Sequence, residues 1–341
     1  MNTAEPRPEL SSRKKLAFSV AATAIVLGGL EVACRVAGYG QAVLSEREPG
    51  LGWRFVPSQD ARTANGRTVH INALGLRDDE CPAAKPAGET RVLVVGDSVT
   101  YGVDVGQDEP FPRRLAEALT ARGRTGVRTL NAGVPGYDLQ QYLLWIERYG
   151  LALSPDLILI GLYQNDIQIA PRPTPYVDFP GRALLRRTAM YEALDGFVNR
   201  TFLSAGDTED AENDEFVRLL DAYVGLDSID PDLPEWQRKV RLAREILERL
   251  ADLGEEHDVK IAVLMLPAFA DTKEPGTVKL FEKLGQTLDK RSIKHHVVLT
   301  PLADRHPDVW LAHDPGHFSP LGHTIVADEA AKWLLEADLL P

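Results

Sequence analysis

Beyond residue 90, the chain alternates short apolar runs with longer stretches of helical spacing. The first run, residues 91–96 (RVLVVG), is rich in β-branched residues and ends at a glycine, which is typical of a buried strand. Strands that alternate with helices need crossover connections, and these produce a parallel sheet that is covered on both faces. We therefore predict an α/β fold with three layers, α/β/α, around a five-stranded parallel sheet. The strands are predicted near residues 91–96, 127–130, 156–162, 260–266 and 296–299, and the helices at 111–122, 139–149, 236–253, 277–288 and 321–335.

An uncharged, mostly apolar segment lies near the N-terminus. It covers residues 16–30 (LAFSVAATAIVLGGL) and follows a basic cluster at residues 13–15. Glu31 and Arg35 are four residues apart with the acid first, which is the favourable order for an ion pair on a helix. With that pair at headgroup level, the segment reaches the length that a bilayer requires. We predict a transmembrane signal anchor at residues 16–36.

The basic cluster before this segment predicts a cytoplasmic tail at residues 1–15 and an extracytoplasmic body, either periplasmic or at the cell surface. Three other interpretations stay open: a cleaved signal peptide, a lipoprotein signal that ends at Cys34, and a buried helix of a soluble protein. After the anchor, residues 37–90 are predicted to form a connector with a short hairpin. Residues 91–341 are predicted to form the main domain, with an insertion at residues 167–235.

The insertion interrupts the alternation of strands and helices. It contains a helix-like piece near residues 184–199, followed by an acidic run in which six of the nine residues from Asp207 to Glu215 are acidic. Such a run indicates a solvated loop. A calcium site there would need the EF-hand spacing and glycine, which the run lacks. The insertion as a whole is a candidate lid or partner surface.

Composition and charge exclude several classes of function. Of the 341 residues, 38 are Lys or Arg and 50 are Asp or Glu, so the net charge of -12 argues against a broad basic face for nucleic acid. Two cysteines exclude a disulfide-built scaffold and a zinc site with four thiolates. Six histidines fall between residues 295 and 323, but Pro315 and Gly316 interrupt the one pair with helical spacing. We predict no metal and no cofactor.

Polar motifs follow the first three predicted strands. Gly96-Asp97-Ser98 comes directly after the first strand, so a serine at the start of a helix would present its hydroxyl and its N–H at the crevice. Residues 131–136 (NAGVPG) follow the second strand, and Asn165 follows the third within the run 163–166 (YQND). Glycines allow close approach of a ligand to the backbone, and an Asn amide can donate to a developing negative charge.

A fourth motif precedes the last predicted helix. Asp314 stands three residues before His317 on a Pro-Gly turn. A histidine is the usual general base for a serine hydroxyl, and a carboxylate on its other nitrogen holds the required tautomer. Each motif alone has an ordinary structural explanation, as a helix cap, a turn or a surface histidine. Their joint order along the carboxyl edge of one predicted sheet is far more specific, because ligands bind at that edge.

This order of motifs resembles the SGNH (GDSL-type) hydrolase superfamily over residues 91–336. That family carries a Gly-Asp-Ser block, an Asn-x-x-x-x-Gly block, a Gly-x-Asn-Asp block and an Asp-x-x-His block. The resemblance implies a flavodoxin-like sheet and a Ser-His-Asp triad. In that triad Ser98 would be the nucleophile, His317 the general base and Asp314 its orienting acid.

The same resemblance implies an oxyanion hole with three donors. These would be the N–H groups of Ser98 and Gly136 and the side chain of Asn165. Gly136 matches the family spacing because it occupies the fifth position after Asn131, whereas Gly133 does not.

Two positions depart from the family pattern. Val99 stands where a leucine usually follows the nucleophile, and Tyr163 stands where the third block usually begins with glycine. A bulky residue at 163 is expected to reshape the crevice wall or the loop that carries Asn165.

The resemblance implies a serine esterase that works through an acyl-enzyme and removes acyl groups, foremost O-acetyl, from an envelope carbohydrate or a similar ester. Alternatives are an O-acyltransferase to a glycan hydroxyl, a lysophospholipase or thioesterase, and a non-catalytic binding protein that retains the fold. The expected partners are the acyl-ester substrate and, through the N-terminal helix, a membrane. No nucleic-acid partner is expected, and the oligomeric state is not predicted.

Overall fold

The chain divides into two compact units. Met1–Ala42 with Asp178–Gly206 form the smaller unit, and Val43–Val177 with Asp207–Pro341 form the larger one. A computed structural model describes residues 11–63, 65–167, 185, 187–198, 233–268, 275–305 and 307–341.

The described elements are numbered in chain order. The strands are β1 (Ser45–Glu48), β2 (Gly52–Phe55), β3 (Gln59–Arg62), β4 (Thr68–Ile71), β5 (Thr90–Gly96), β6 (Val127–Gly133), β7 (Leu157–Tyr163), β8 (Lys260–Leu266), β9 (Lys294–Val297), β10 (Trp310–Leu311) and β11 (Asp314–Phe318). The helices are α1 (Ser12–Val36), α2 (Ser98–Tyr101), α3 (Phe111–Ala121), α4 (Leu139–Trp145), α5 (Ala189–Val198), α6 (Pro234–His257), α7 (Pro275–Lys290), α8 (Thr300–Ala303) and α9 (Pro320–Glu336).

Five parallel strands form the central sheet of the larger unit, as predicted. Their order is β6-β5-β7-β8-β9, and β5 lies between β6 and β7. The last strand begins at Lys294, two residues before its predicted start. Because the chain crosses from β6 back over β5 to β7, the carboxyl ends of these three strands lie side by side at the point where the strand order reverses, and such a point is where ligands bind in sheets of this type.

The two faces of the sheet are covered by different helices. Along β5, Leu93 and Val95 belong to a core shared with α4, α6 and α7, whereas Val92 and Val94 belong to a core shared with α3 and α9. Alternate residues of a strand point to opposite faces, so one fully buried strand contributes to both cores. This arrangement is the predicted three-layer fold. Each fully buried Leu or Val of this kind contributes about 1.5–3 kcal/mol to the hydrophobic stabilisation.

Two glycines at strand ends allow α2 to lie close to the sheet. A Cβ atom on Gly96 would collide with the side chain of Thr100, and one on Gly133 would collide with the backbone of Tyr101. The helix that begins at Ser98 therefore packs directly over the ends of β5 and β6.

The connector contains two hairpins rather than the single one predicted. β1 pairs with β2 and β3 pairs with β4, each antiparallel. The first strand of each hairpin is polar in sequence, SERE and QDAR, and lacks the alternation of apolar and polar residues that marks a half-buried strand. Turns at Gly50 and Gly66, both at positive φ, close the two hairpins.

In the smaller unit, α1 is the one helix among the described residues that is long and apolar enough to cross a membrane. It has 25 residues, and its most apolar window has a mean hydropathy of 1.9 with no buried residue. The predicted Glu31–Arg35 ion pair is present at 2.7 Å. The carboxylate of Glu31 also accepts hydrogen bonds from the N–H groups of Ala189 and Met190, each at 3.0 Å. Glu31 thus caps α5, the helix-like piece of the insertion, whereas the predicted acidic run lies outside the described residues.

Candidate active site

Ser98 is the first residue of α2, directly after β5 and the turn at Asp97. Asp97 caps the helix, because its Oδ1 accepts a hydrogen bond from the N–H of Val99 at 2.9 Å. The half-buried Ser98 donates its hydroxyl to Asp97 Oδ2 at 3.2 Å. Burial raises the pKa of Asp97, although the hydrogen bond from Val99 opposes this shift. Asp97 therefore supports the turn that presents Ser98.

Gly136 follows β6 in a tight turn. The N–H of Tyr137 donates to the carbonyl of Val134 at 3.1 Å, and Gly136 has φ +79° at the third position of this turn, where a positive φ favours glycine. The other glycine of the motif, Gly133, donates its N–H to the side chain of Asn131 at 3.0 Å. Gly136 is an exposed residue, and its N–H has no partner among the described residues.

Asn165 follows β7 in a 3₁₀ turn over Gln164–Ile167. Asp166 holds this turn, since its Oδ2 accepts the N–H of Tyr163 at 2.6 Å. Burial, together with the nearby charge of Asp97, raises the pKa of Asp166 well above its usual value. The amide oxygen of Asn165 is buried, and within the described ranges neither it nor the amide nitrogen has a hydrogen-bond partner. The amide of Asn165 is thus uncommitted at the same edge of the sheet as Ser98.

Asp314 and His317 form a close pair. His317 Nδ1 lies 2.6 Å from Asp314 Oδ2, and the two side chains are 20% and 25% exposed. Burial works against ionisation of Asp314, but the hydrogen bond and charge of His317 outweigh it, so the pKa of Asp314 lies below its usual value. In the neutral imidazole, an Nδ1–H that donates to this carboxylate leaves Nε2 as the basic nitrogen.

The Asp-x-x-His motif lies in a strand rather than in the predicted turn. β11 pairs antiparallel with β10 through an irregular register. β11 also contacts α2, and the charge of His317 acts on Asp97, so the histidine and the serine lie on adjoining elements. Among the described residues Ser98 makes no hydrogen bond to His317, because its hydroxyl points to Asp97. Such a bond requires a rotation of the Ser98 side chain, and catalytic hydrogen bonds often form only with substrate bound.

Two residues outside the proposed triad and oxyanion hole support the site. The buried phenol of Tyr163, instead of only lining the crevice, donates to the carbonyl of Gly316 at 3.0 Å. The buried guanidinium of Arg77 donates to four carbonyls at the end of α2 and in the loop that follows it, those of Tyr101, Gly102, Val105 and Gly106. No local sequence pattern marks a connector arginine for this role. The carbonyls that accept its hydrogen bonds lie 24 to 29 positions further along the chain, so the contact is known only from the folded structure.

No group of three His, Cys, Asp or Glu side chains in the described ranges is arranged to hold a metal ion. The histidines that cluster in sequence have separate surroundings. His323 is buried and accepts the N–H of Phe111 at 3.1 Å, and burial lowers its pKa to about 3. His313 contacts Asp104 at 3.0 Å.

Comparison with protein families gives one match over most of the chain. A model of the GDSL-like lipase/acylhydrolase family matches residues 94–325, which include most of the sheet and all four motifs. No curated protein matches the chain at a significant level.

Several solved structures are similar in fold at low sequence identity. The psychrotrophic esterase EstA from Pseudoalteromonas sp. shares 13% identity over 73% of this chain and 98% of its own, with a TM-score of 0.45. A catalytic mutant of an acetylxylan esterase from Geobacillus stearothermophilus shares 16% over 72% and 93%, with a TM-score of 0.42. A GDSL-like lipase from Bacteroides thetaiotaomicron shares 14% over 74% and 91%, with a TM-score of 0.40.

Proposed function

Since the chain belongs to the GDSL-like lipase/acylhydrolase family and is a serine hydrolase, we propose that Ser98, His317 and Asp314 are its catalytic triad. One observation carries the proposal: the 2.6 Å pair of His317 and Asp314 lies on a strand that contacts the helix beginning at Ser98. The carboxylate orients the ring, and the free Nε2 is then available to the serine hydroxyl.

The proposed reaction is acyl transfer in two steps. The Oγ of Ser98 forms a bond to the ester carbonyl carbon while Nε2 of His317 takes the hydroxyl proton. The tetrahedral intermediate collapses, the ester C–O bond breaks, and His317 returns the proton to the leaving alcohol. Water then attacks the acyl carbon with His317 as base, the bond from that carbon to Ser98 Oγ breaks, the carboxylic acid leaves, and His317 returns the proton to Ser98. The negatively charged Asp314 stabilises the imidazolium that forms in each step.

The proposed oxyanion hole consists of the Ser98 N–H, the Gly136 N–H and the Asn165 amide. All three follow neighbouring strands, β5, β6 and β7, and the N–H of Gly133 is taken by Asn131. Donors held in place before the reaction stabilise the developing charge without a reorganisation cost. The free N–H of Gly136 and the uncommitted amide of Asn165 support this assignment.

Within this chemistry we propose that the substrate is an O-acetyl ester of an envelope carbohydrate. The support is the family together with α1, which we propose to be a retained anchor with its basic N-terminal end in the cytoplasm. An anchored body outside the cytoplasm faces the glycans of the envelope.

The test uses the full chain in detergent micelles. Hydrolysis of p-nitrophenyl esters from acetate to palmitate gives the chain-length preference, and acetate release from an O-acetylated polysaccharide tests the carbohydrate. We expect acetate to be the best ester and Ser98→Ala to lower kcat by about 10³-fold or more. A preference for long acyl chains would favour a lipase, and transfer of the acyl group to an added sugar instead of water would favour a transferase.

A further inference from the structure

Tyr163 connects the end of the central sheet to the strand that carries His317. It is the last residue of β7 and is only 3% exposed. Its phenol hydroxyl donates to the carbonyl oxygen of Gly316 at 3.0 Å. Gly316 is the residue directly before His317, so this contact falls within the backbone of the Asp314–His317 pair.

The backbone at Gly316 needs such support. Glycine has the widest conformational freedom of any residue, and β10, with which β11 pairs, has two residues and an irregular register. The N–H of Gly316 donates to Asp314 Oδ1 at 3.2 Å. Its carbonyl is held by Tyr163, so side chains fix both polar groups of this residue.

The carbonyl of Gly316 belongs to the same planar peptide unit as the N–H of His317. Holding the oxygen therefore fixes the orientation of the peptide plane that leads into His317. A rotation of this plane would move the Cα–Cβ bond of His317 and change the direction of its imidazole. The hydrogen bond to Asp314 orients the ring from the Nδ1 side, whereas the contact with Tyr163 orients the backbone that carries the ring.

Tyr163 also acts on the other side of the site through its backbone. Its N–H donates to Asp166 Oδ2 at 2.6 Å, within the turn that presents Asn165. One residue thus joins the turn of the proposed oxyanion donor to the strand of the proposed base.

We propose that Tyr163 is a positioning residue that sets the geometry of His317 through the hydroxyl contact with Gly316. The inference rests on the proposed triad. It assigns a role to the position where the chain departs most from the family pattern, since a glycine there would have no hydroxyl to hold the strand.

The first variant for the test is Tyr163→Phe, which keeps the buried ring and removes only the hydroxyl. Tyr149→Phe is the matched control, because it removes a phenol whose charged neighbours are Glu48, Arg54 and Arg148, none of which belongs to the proposed site. With the full chain in detergent micelles and p-nitrophenyl acetate as substrate, we expect Tyr163→Phe to lower kcat about tenfold, because a fold-change of that size corresponds to the contribution of one hydrogen bond that holds His317 in place. KM should change less than twofold, and Tyr149→Phe should match the wild type in both.

Two further measurements separate positioning from stability and from the triad itself. We expect the rate of labelling by a fluorophosphonate to fall by the same factor as kcat, and the downfield Nδ1 proton resonance of His317 to shift or broaden in Tyr163→Phe alone. Unchanged kcat and labelling in Tyr163→Phe, with or without a lower melting temperature, would overturn the inference. If the wild type neither labels nor hydrolyses any ester, the proposed function fails, and an Nδ1 resonance unaltered by Tyr163→Phe would then reject the positioning role separately.

Discussion

Asp97 and Asp314 are both carboxylates beside the proposed triad, but their surroundings shift their pKa values in opposite directions. Burial raises the pKa of Asp97, which accepts its hydrogen bonds from the turn around Ser98. For Asp314 burial is the largest single effect and would raise the pKa, but the hydrogen bond and charge of His317, with the hydrogen bond from the N–H of Gly316, together outweigh it, so its pKa is lowered. A carboxylate that stays ionised is the one suited to stabilise an imidazolium, which supports the orienting role proposed for Asp314, whereas Asp97 caps α2.

Asp314→Asn tests this assignment. The amide cannot balance the charge of the imidazolium and can hold the ring in the wrong tautomer, so we expect kcat to fall by on the order of 10²–10⁴-fold. Because the lowered pKa keeps Asp314 ionised in mild acid, the acid limb of the wild-type kcat/KM profile should not report its titration. Ester hydrolysis measured between pH 4 and 9 gives both the fall in kcat and the acid limb of kcat/KM. The same measurements on Asp97→Asn provide the comparison with the capping carboxylate. An Asp314→Asn enzyme with full activity would remove Asp314 from the triad.

At the scale of elements, burial on both faces explains which strands were predictable. The strands β5, β7 and β8 are continuous apolar runs, and their bounds lie within one residue of the prediction. The polar strands of the connector are not continuous apolar runs, because they pair in small two-stranded sheets and are not buried on both faces. Pro315 and Gly316 predicted a turn, yet this segment pairs with β10 as a short strand. There, pairing with the strand just before it in the chain overrides the turn preference of Pro315 and Gly316.

The order of the motifs along the chain placed Ser98, Asn165 and His317 at one edge of the sheet. It did not predict the contact of Tyr163 with Gly316, because that contact joins residues 153 positions apart. Nor did it predict the hydroxyl of Ser98 bonded to Asp97, since a side-chain rotamer is not encoded in motif spacing.

The edge strand β6 is covered by the connector, and the contact involves a titratable group. Asp78 Oδ2 accepts the N–H of Asn131 at 3.3 Å. Burial raises the pKa of Asp78 to about 6, although Arg128 and Arg113 lie within 4 Å of it and work against this shift. An ionised Asp78 is therefore a destabilising feature of the fold at neutral pH.

This shift predicts a pH dependence of stability. The pKa of Asp78 in the folded chain exceeds the value of about 4 in an unfolded chain, so between about pH 4 and 6 the folded state binds more protons. The free energy of unfolding should fall as pH rises through that window, with Asp78 contributing up to about 3 kcal/mol. Asp78→Asn cannot ionise and should flatten the curve. Urea unfolding of both proteins from pH 4.5 to 7.5 measures this, and equal slopes would refute it.

At the scale of the whole molecule, the smaller unit joins α1 to part of the insertion. Glu31 caps α5, and Glu192 of α5 accepts the N–H groups of Gly40, Gln41 and Ala42 at 2.7–3.3 Å. Hydrogen bonds therefore join the two parts in both directions. Glu31 of α1 accepts from the first residues of α5, and Glu192 of α5 accepts from the residues that follow α1. A cleavage between the helix and residue 40 would leave the first turn of α5 without its cap.

These contacts predict that α1 stays attached in the mature protein. The chain purified from membranes should have its N-terminus before residue 16, as measured by intact mass, and it should resist extraction by alkaline carbonate. A reporter fused after Pro341 should be active only outside the cytoplasm. A mature N-terminus between residues 31 and 42 would show that α1 is a cleaved signal instead.

The most direct test of the central claim is covalent labelling of the full chain with a fluorophosphonate probe, followed by mass spectrometry of the adduct. An activated serine predicts one adduct, located at Ser98, absent in Ser98→Ala and formed at least about 10²-fold more slowly in His317→Ala. Circular dichroism of each variant verifies that it is folded. A folded wild-type chain that is not labelled, or that is labelled at Ser98 equally fast without His317, would contradict the proposed triad.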